Sequence, residues 1–436
     1  MQWLRAVSHY RGTTSGGPNF AYDLAAEAVE NAEAAALSGI DLSSWAVAFN
    51  GAERIDAGTL DRFARACEPL GFRRDALLAC YGLAEATLLV TAASRLTGPR
   101  TLTLDAEALG RGRAVPAEAS AGGAASRTLV SCGRPRSDHD VLILDADTGA
   151  PCAEGTIGEI GVAGGAVARG YRNRPDETGA TFGTRTNRAG RALLRTGDLG
   201  FMSGGDLFVT GRLKELIIVR GVNHFPQDLE RTVQRAHPAL RPGAGAAVAV
   251  EDASGREAVA VIQELERANR RDAPEPIFAA IREALSHEHG LSPARIVLLR
   301  PGALPVTPSG KVRRGECRAL LADGRLDAVA DWASPAPNTS SEATPSPTGL
   351  SEQALRAWLI ARLASELGIA PADVDPAEPF ARYGLDSAGS VGLACGLETE
   401  LGIELEATLF WDYPSISELA RYLCARLAPQ QESTAV

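Results

Sequence analysis

The stretch RTGDLGFMSGGDLFVTGRLKELIIVRGVNHFPQDLE, Arg195 to Glu230, carries the densest local signals in the chain. Residues 207–210 and 216–219 are short apolar runs of the kind that form strands. Residues 226–236 have helical spacing and open on Pro226, whose fixed φ suits a first helical turn. Arg195-Thr196-Gly197-Asp198 reads as a glycine turn presenting one carboxylate. Gly211-Arg212-Leu213-Lys214 reads as a second turn, between two strands, presenting two cations. One carboxylate can accept hydrogen bonds from both hydroxyls of a ribose. Taken alone, the plainer reading of Asp198 is a surface acid in a turn.

Outward from this stretch the pattern alternates. Residues 31–37, 60–67 and 276–285 have helical character. Residues 45–49, 141–144, 157–162, 246–250 and 258–262 read as strands, several of them bounded by glycine or Asn-Gly turns. This is an α/β body with short antiparallel pieces. It ends at residues 331–349, DWASPAPNTSSEATPSPTG, a Pro/Ser/Thr-rich stretch with almost no large apolar residues, which reads as a linker. Beyond it, Leu355, Leu359, Leu363 and Leu367 repeat at helical spacing. A second helix is expected after Asp386 and a third near Ser415, which together make a small helical bundle. Gly389, Gly392 and Gly396 would weaken the second helix.

The chain has 436 residues, room for about three domains. Its net charge is −10, of which residues 350–436 hold −8 from 13 acids and 5 bases. An acidic chain is a poor general binder of nucleic acid or anionic membrane, so neither partner is expected. The seven cysteines are scattered without CxxC spacing, which fits reduced thiols in a cytoplasmic protein and argues against a disulfide framework or a zinc site. No apolar run reaches the roughly 18–20 residues of a membrane helix. The opening MQWLRAVSHYRG lacks a signal-peptide pattern.

Two further segments carry chemistry. In Tyr81-Gly82-Leu83-Ala84-Glu85-Ala86-Thr87 an aromatic could stack on a flat base and an acid could hold a cation. In residues 304–314, LPVTPSGKVRR, a Lys in a Pro/Gly-shaped loop could stabilise negative charge on a carboxyl or phosphate. Isolated, the first is an ordinary core residue and turn, the second a basic surface loop. The order and spacing of all three resemble the adenylate-forming (acyl-CoA synthetase-like) superfamily and, within it, the fatty acyl-AMP ligases. WLRAVSHYRGTTSGGPNFAYDL, AFNGAE, YGLAEATLLV, LVSCGRP, TGRLKELIIVRGVNHFPQDLE and LPVTPSGKVRR all look like that family's signatures, over about residues 1–320. Residues 94–126 give no signature, and the insertion that the family associates with transfer to a carrier protein has no clear place here.

The resemblance implies a site. Gly51, Ala52 and Glu53 would line the adenine pocket, Tyr81 would stack on adenine, and Glu85 would help to hold Mg²⁺. Asp198 would hold the ribose hydroxyls with Arg212 nearby, and Lys214 would be the hinge of a small C-terminal subdomain. Lys311 would be the catalytic cation bridging the fatty carboxylate and the α-phosphate of ATP. Two anions must meet in line in such a reaction, so cations and positioning dominate. After the linker, Tyr383-Gly384-Leu385-Asp386-Ser387 resembles an acyl carrier domain, with Ser387 carrying 4′-phosphopantetheine. The plainer reading is a helix N-cap. The implied organisation is an adenylation fold in which residues 1–211 are the C-terminal part of the large subdomain and 212–325 the small α+β subdomain, then a linker over 326–349 and an all-α carrier over 350–428.

The family also has an N-terminal half with a Ser/Thr/Gly-rich, Lys-terminated phosphate loop and a His-containing acyl-site segment, and no stretch here matches either. Thr13-Thr14-Ser15-Gly16-Gly17 lacks the downstream Gly-Lys and falls inside the SGGPNFAYDL signature. A second departure is Arg54, where the family has Pro. A truncated product, an internal gene start or one half of a split enzyme is therefore expected, with an exposed sheet edge. The implied reaction is fatty acid plus ATP to acyl-AMP and pyrophosphate, then transfer to the thiol on Ser387. Such a reaction would start a lipopeptide or polyketide and would need a phosphopantetheinyl transferase and a downstream polyketide or nonribosomal peptide synthase. The rivals are an inactive ligase remnant behind a working carrier, and an amino-acid adenylation domain with its carrier.

Overall fold

The computed structural model describes residues 1–117, 126–136, 139–185, 192–219, 221–252, 257–307, 310–334, 351–367, 371, 374–383, 397 and 409–427. The chain divides into two compact units, Met1–Leu216 with Gly221–Phe225 and Ile217–Arg220 with Pro226–Val436.

In the first unit, β1 (Thr14–Gly17), β2 (Val47–Asn50) and β3 (Leu77–Tyr81) pair in parallel. The sheet continues through two antiparallel two-residue strands, Thr91–Ala92 and Arg134–Pro135. Among the described residues β1 pairs with β2 alone. Helices α1 (Gln2–His9), α2 (Asn19–Glu30) and α3 (Ala57–Cys67) cover one face. The helix expected over 31–37 is only Ala34–Leu37. The longer helix is α2, which begins directly after Pro18 and buries Tyr22, Ala25, Ala26 and Val29. Those positions lie at i, i+3, i+4 and i+7, a pattern that the alanine run further on obscures. The core is aromatic. Phe63 meets Tyr22, Trp45 and Phe72 edge-on at 4.8, 6.0 and 4.9 Å and stacks on Trp3 at 6.4 Å.

A second, antiparallel sheet runs β4 (Asp140–Leu144), β5 (Gly158–Ala163), β6 (Ala192–Ser203) and β7 (Asp206–Arg212). Residues 195–198, expected as a turn, lie inside β6 at a break in its register with β5 between Arg195 and Leu199. The extra backbone there is accommodated as a bulge, which re-aims side chains without ending the strand.

In the second unit, β8 (Leu240–Glu251), β9 (Glu257–Leu265), β10 (Arg295–Leu299) and β11 (Ala328–Ala333) form one sheet in that order. Alternation sorts its two faces. Val259 and Val261 pack with Leu229, Val233, Ile277 and Ile281 of α4 (Pro226–Ala236) and α5 (Pro274–His289). Ala260 and Ile262 pack with Cys317 and Leu321 of α6 (Arg314–Ala322). Past the linker, α7 (Glu352–Leu367) and α8 (Ile416–Leu427) share a separate core around Leu355, Leu359, Leu363, Leu419 and Leu423. Ser415 and Glu418 cap α8 reciprocally: the Ser415 hydroxyl accepts from Glu418 N at 3.3 Å and donates to its carboxylate at 3.1 Å. The helix expected after Asp386, with its three glycines, lies outside the described residues.

Phe63 is fully buried among four aromatic rings, so Phe63→Ala should lower the stability of the first unit by about 3–5 kcal/mol. Chemical denaturation followed by tryptophan fluorescence reads this through Trp3 and Trp45. A loss below about 1 kcal/mol would mean that the cluster repacks freely.

Candidate active site

Alternation along β3 buries Leu77, Ala79 and Tyr81 on one face. At the strand's end the Tyr81 hydroxyl donates to Asp198 Oδ2 at 2.8 Å. Asp198 faces Arg212 directly across the β6–β7 ladder, and Arg212 Nε donates to Asp198 Oδ1 at 3.1 Å. The carboxylate is 14% exposed. Burial lifts its pKa above the ordinary carboxylate value, against the pull of Arg212 and the Tyr81 hydroxyl. Burial and the Asp198 charge push Tyr81 well above the usual phenol value. Each carboxylate oxygen has lone-pair capacity beyond its one protein partner. The carboxylate can therefore accept further hydrogen bonds, as from a ligand with paired donors.

The bulge that presents Asp198 is held by Glu159, which the sequence reading missed. This buried carboxylate of β5 accepts from Arg195 Nε at 2.6 Å and from Gly197 N at 3.0 Å. Thr196 Oγ1 donates to Ile160 O at 2.8 Å and accepts from Asp198 N at 3.1 Å. Gly197 has φ +73°, the left-handed region that glycine enters freely.

The Asn-Gly-Ala-Glu turn follows β2. A Cβ on Gly51 would meet Cys80 O at 2.8 Å, so a side chain there collides with backbone. Ala52 sits at φ +69°. The turn is clamped by Asn19, also unforeseen. Asn19 N donates to Glu53 Oε1 at 2.7 Å, its Nδ2 donates to Arg54 O at 2.8 Å, and its Oδ1 accepts from Asp56 N at 3.1 Å. At Arg54, the departure from the family, that contact is made by the backbone carbonyl. Beside the turn, the Asn50 side chain is fully buried, and its carboxamide has no partner among the described residues.

Glu85 lies in the one-turn helix Ala84–Ala86 and accepts from the Tyr171 hydroxyl at 2.8 Å. Its carbonyl accepts from Ala168 N at 2.8 Å, and Thr87 Oγ1 donates to Ala166 O at 2.9 Å, so this loop is stitched to residues 166–171. Among the described residues no cluster of three or more His, Cys, Asp or Glu side chains could hold a metal alone. One carboxylate suits Mg²⁺ as phosphate sites use it, with waters and substrate oxygens completing the shell. Glu85 fits that role and not a protein-only cage.

Lys214 is exposed in the one-turn helix Leu213–Glu215, two residues before the boundary between the units. Lys311 belongs to the second unit, in a hairpin where Val306 and Val312 bridge. Thr307 N donates to Lys311 O at 2.8 Å, Lys311 N donates to Thr307 Oγ1 at 3.0 Å, and Gly310 takes φ +81°. These are the only two lysines in 436 residues; the other 42 basic residues are arginine. Ser387 lies outside the described residues. Just before it, Tyr383 is pinned by its hydroxyl, which accepts from Asp375 N at 2.6 Å and donates to Asp375 O at 3.0 Å.

The site predicts an alkaline signature. Burial raises both Tyr81 and Tyr22 far above the ordinary phenol pKa. The folded state thus keeps two protons that the unfolded chain gives up near pH 10, so stability falls as pH rises past that point. Ultraviolet titration of the native protein to pH 11 should have the same amplitude in wild type, Tyr22→Phe and Tyr81→Phe. In denaturant each variant should lose one of seven tyrosine signals. A native amplitude lowered by Tyr81→Phe would mean that this hydroxyl is open to water.

The family described as AMP-binding enzyme matches residues 1–172, Disco-interacting protein 2-like, AMP domain matches 214–331, and phosphopantetheine attachment site matches 357–423. The medium-chain-fatty-acid–[acyl-carrier-protein] ligase JamA of Moorena producens is 44% identical over 329 residues, 75% of this chain and 55% of JamA. A solved structure from work on fatty acyl-adenylate ligases of E. coli and L. pneumophila is 32% identical, with a TM-score of 0.64 over 74% of this chain and 55% of that one. The McyG A-PCP structure with phenylalanyl-adenylate shares the fold over 97% of this chain and 60% of that one, at 24% identity and a TM-score of 0.65. The chain spans about half the length of the curated relatives it matches. Residues 1–172 thus match the AMP-binding enzyme family and residues 357–423 a phosphopantetheine attachment site, and about three quarters of the chain is similar to fatty acid ligases.

Proposed function

We propose that the chain takes part in activating a fatty acid as its acyl-adenylate and in loading the acyl group onto its own carrier domain. The observation that carries this reading is the Tyr81–Asp198–Arg212 cluster. It sets a buried carboxylate with spare acceptor capacity at the carboxyl end of a parallel strand, where α/β sheets bind nucleotides. The 44% identity to a medium-chain fatty acid ligase supports a fatty acid substrate over an amino acid.

In this reading Asp198 holds the ribose hydroxyls and Arg212 fixes the carboxylate's orientation. Gly51, Ala52 and Glu53 present backbone to the adenine, and Tyr81 closes the wall beside it. An oxygen of the fatty carboxylate attacks the α-phosphorus, and the bond to pyrophosphate breaks. Lys311 offsets the negative charge that gathers where the two anions meet. Glu85 would contribute one ligand to Mg²⁺, which supplies charge neutralisation at the phosphates. Lys214 is the hinge. The thiol of 4′-phosphopantetheine on Ser387 then receives the acyl group, with AMP leaving. A phosphopantetheinyl transferase installs that group, and a polyketide or nonribosomal peptide synthase takes the product onward. A reaction drawing on ATP suits the cytoplasm, and the described cysteines are all free thiols. No helix among the described residues is long and apolar enough to cross a membrane.

Intact mass tests the reading. The pantetheinylated protein, incubated with ATP, Mg²⁺ and mixed fatty acids, should gain one acyl group. Ser387→Ala and Lys311→Ala should each abolish the gain. Pantetheinylation without any gain would leave the carrier as the working part and make the ligase region inactive or dependent on a further polypeptide.

A further inference from the structure

The hairpin of Lys311 is held at both feet by buried carboxylates. At one foot, Glu264 of β9 is 2% exposed. Its Oε1 accepts from Leu304 N at 2.8 Å and its Oε2 from Arg241 Nη1 at 2.7 Å. At the other foot, Glu230 of α4 takes the Arg314 guanidinium as a fork, Nε to Oε1 and Nη2 to Oε2, both at 2.7 Å. Glu230 Oε1 also accepts from Ala247 N at 3.0 Å, which ties the pair to β8. Between the feet the chain closes on itself through Arg313 N to Pro305 O at 3.0 Å and the Val306–Val312 bridge. Residues 304–307 and 310–314 thus carry the lysine on a frame fixed to a helix and two strands.

We infer that Glu230 and Glu264 are positioning residues for Lys311, acting by fixing the hairpin from which its side chain extends. The inference rests on the proposed role of Lys311. Burying two charges as a pair costs hydration free energy that burying an apolar pair does not, so stability alone is a weak reason for Glu230 and Arg314 to be there. A lysine is a point charge on a four-carbon stem and aims only as well as its backbone is held. The Arg314 side chain is 15% exposed and its partner Glu230 is buried, so the pair is largely withdrawn from water.

The two-lysine composition makes the test direct. Reductive ¹³C-methylation of the full chain labels Lys214, Lys311 and the N-terminal amine, and Lys214→Arg and Lys311→Arg assign the signals. Glu264→Gln and the double variant Glu230→Met/Arg314→Met should shift and narrow the Lys311 resonance toward that of a free side chain. The Lys214 resonance should stay in place and serve as the internal control. The double variant replaces a buried pair by apolar side chains of similar length, a change that folded proteins commonly accept. In the unlabelled variants, acyl-adenylate formation should fall about 10- to 100-fold in kcat with little change in KM for ATP, as misplacement of a catalytic group does. A folded double variant whose Lys311 signal does not move would overturn the inference and leave the carboxylates purely structural. Full acyl-adenylate formation by Lys311→Ala would instead sink the proposed role of Lys311, whatever the resonance does.

Discussion

The first unit is organised around one buried carboxylate. Asp198 has its two oxygens on Tyr81 and Arg212, and burial makes its charge expensive to hold. Keeping it there requires a bulge in β6, a left-handed glycine at 197, and a second buried acid, Glu159, to fix the bulge from the neighbouring strand. It also requires β3 to end where its tyrosine can reach across to the second sheet. A surface turn would need none of this. The arrangement resembles a constraint imposed by a ligand more than one imposed by folding, since buried ion pairs add little net stability.

The second unit solves a related problem for a cation. Lys311 sits on a hairpin whose feet are tied to buried acids, and the same chain writes arginine at nearly every other basic position. Guanidinium groups here use their several donors together: Arg314 grips Glu230 as a fork, and Arg195 reaches both Glu159 and the Ala146 carbonyl. The two lysines lie at the hairpin and beside the boundary between the units. Both are places where a compact charge on a flexible stem differs in kind from a planar fork.

The residues proposed for the site each stand in a local string: Tyr81-Gly82, Gly197-Asp198, Gly211-Arg212 and Gly310-Lys311 set a glycine beside an aromatic or charged side chain. Helix α4 was legible from Pro226 and its spacing, and a helix was expected near Ser415, where α8 begins. What holds those groups was not legible. Glu159 reaches Gly197 across 38 residues, Asn19 reaches Asp56 across 37, and Glu230 reaches Arg314 across 84. Nothing in GEIGV or PNFAY marks such partners, because hydrogen bonds between segments distant in sequence leave no periodicity. Residues 195–198 misled for the opposite reason. A glycine beside an aspartate reads as a turn locally, and only the pairing of β6 on both sides turns it into a bulge.

The account stands on Asp198 as the group that reads a ribose. Calorimetric titration with a non-hydrolysable medium-chain acyl-sulfamoyl adenosine and its 2′-deoxy and 3′-deoxy forms tests this most directly. Hydrogen bonds to a carboxylate contribute about 1.5–3 kcal/mol each. The wild-type protein should therefore bind the ribose form at least about tenfold more tightly than either deoxy form, and Asp198→Asn should shrink that preference. Equal binding of all three by the wild-type protein would contradict the account, because the buried carboxylate would then have no part in holding the sugar.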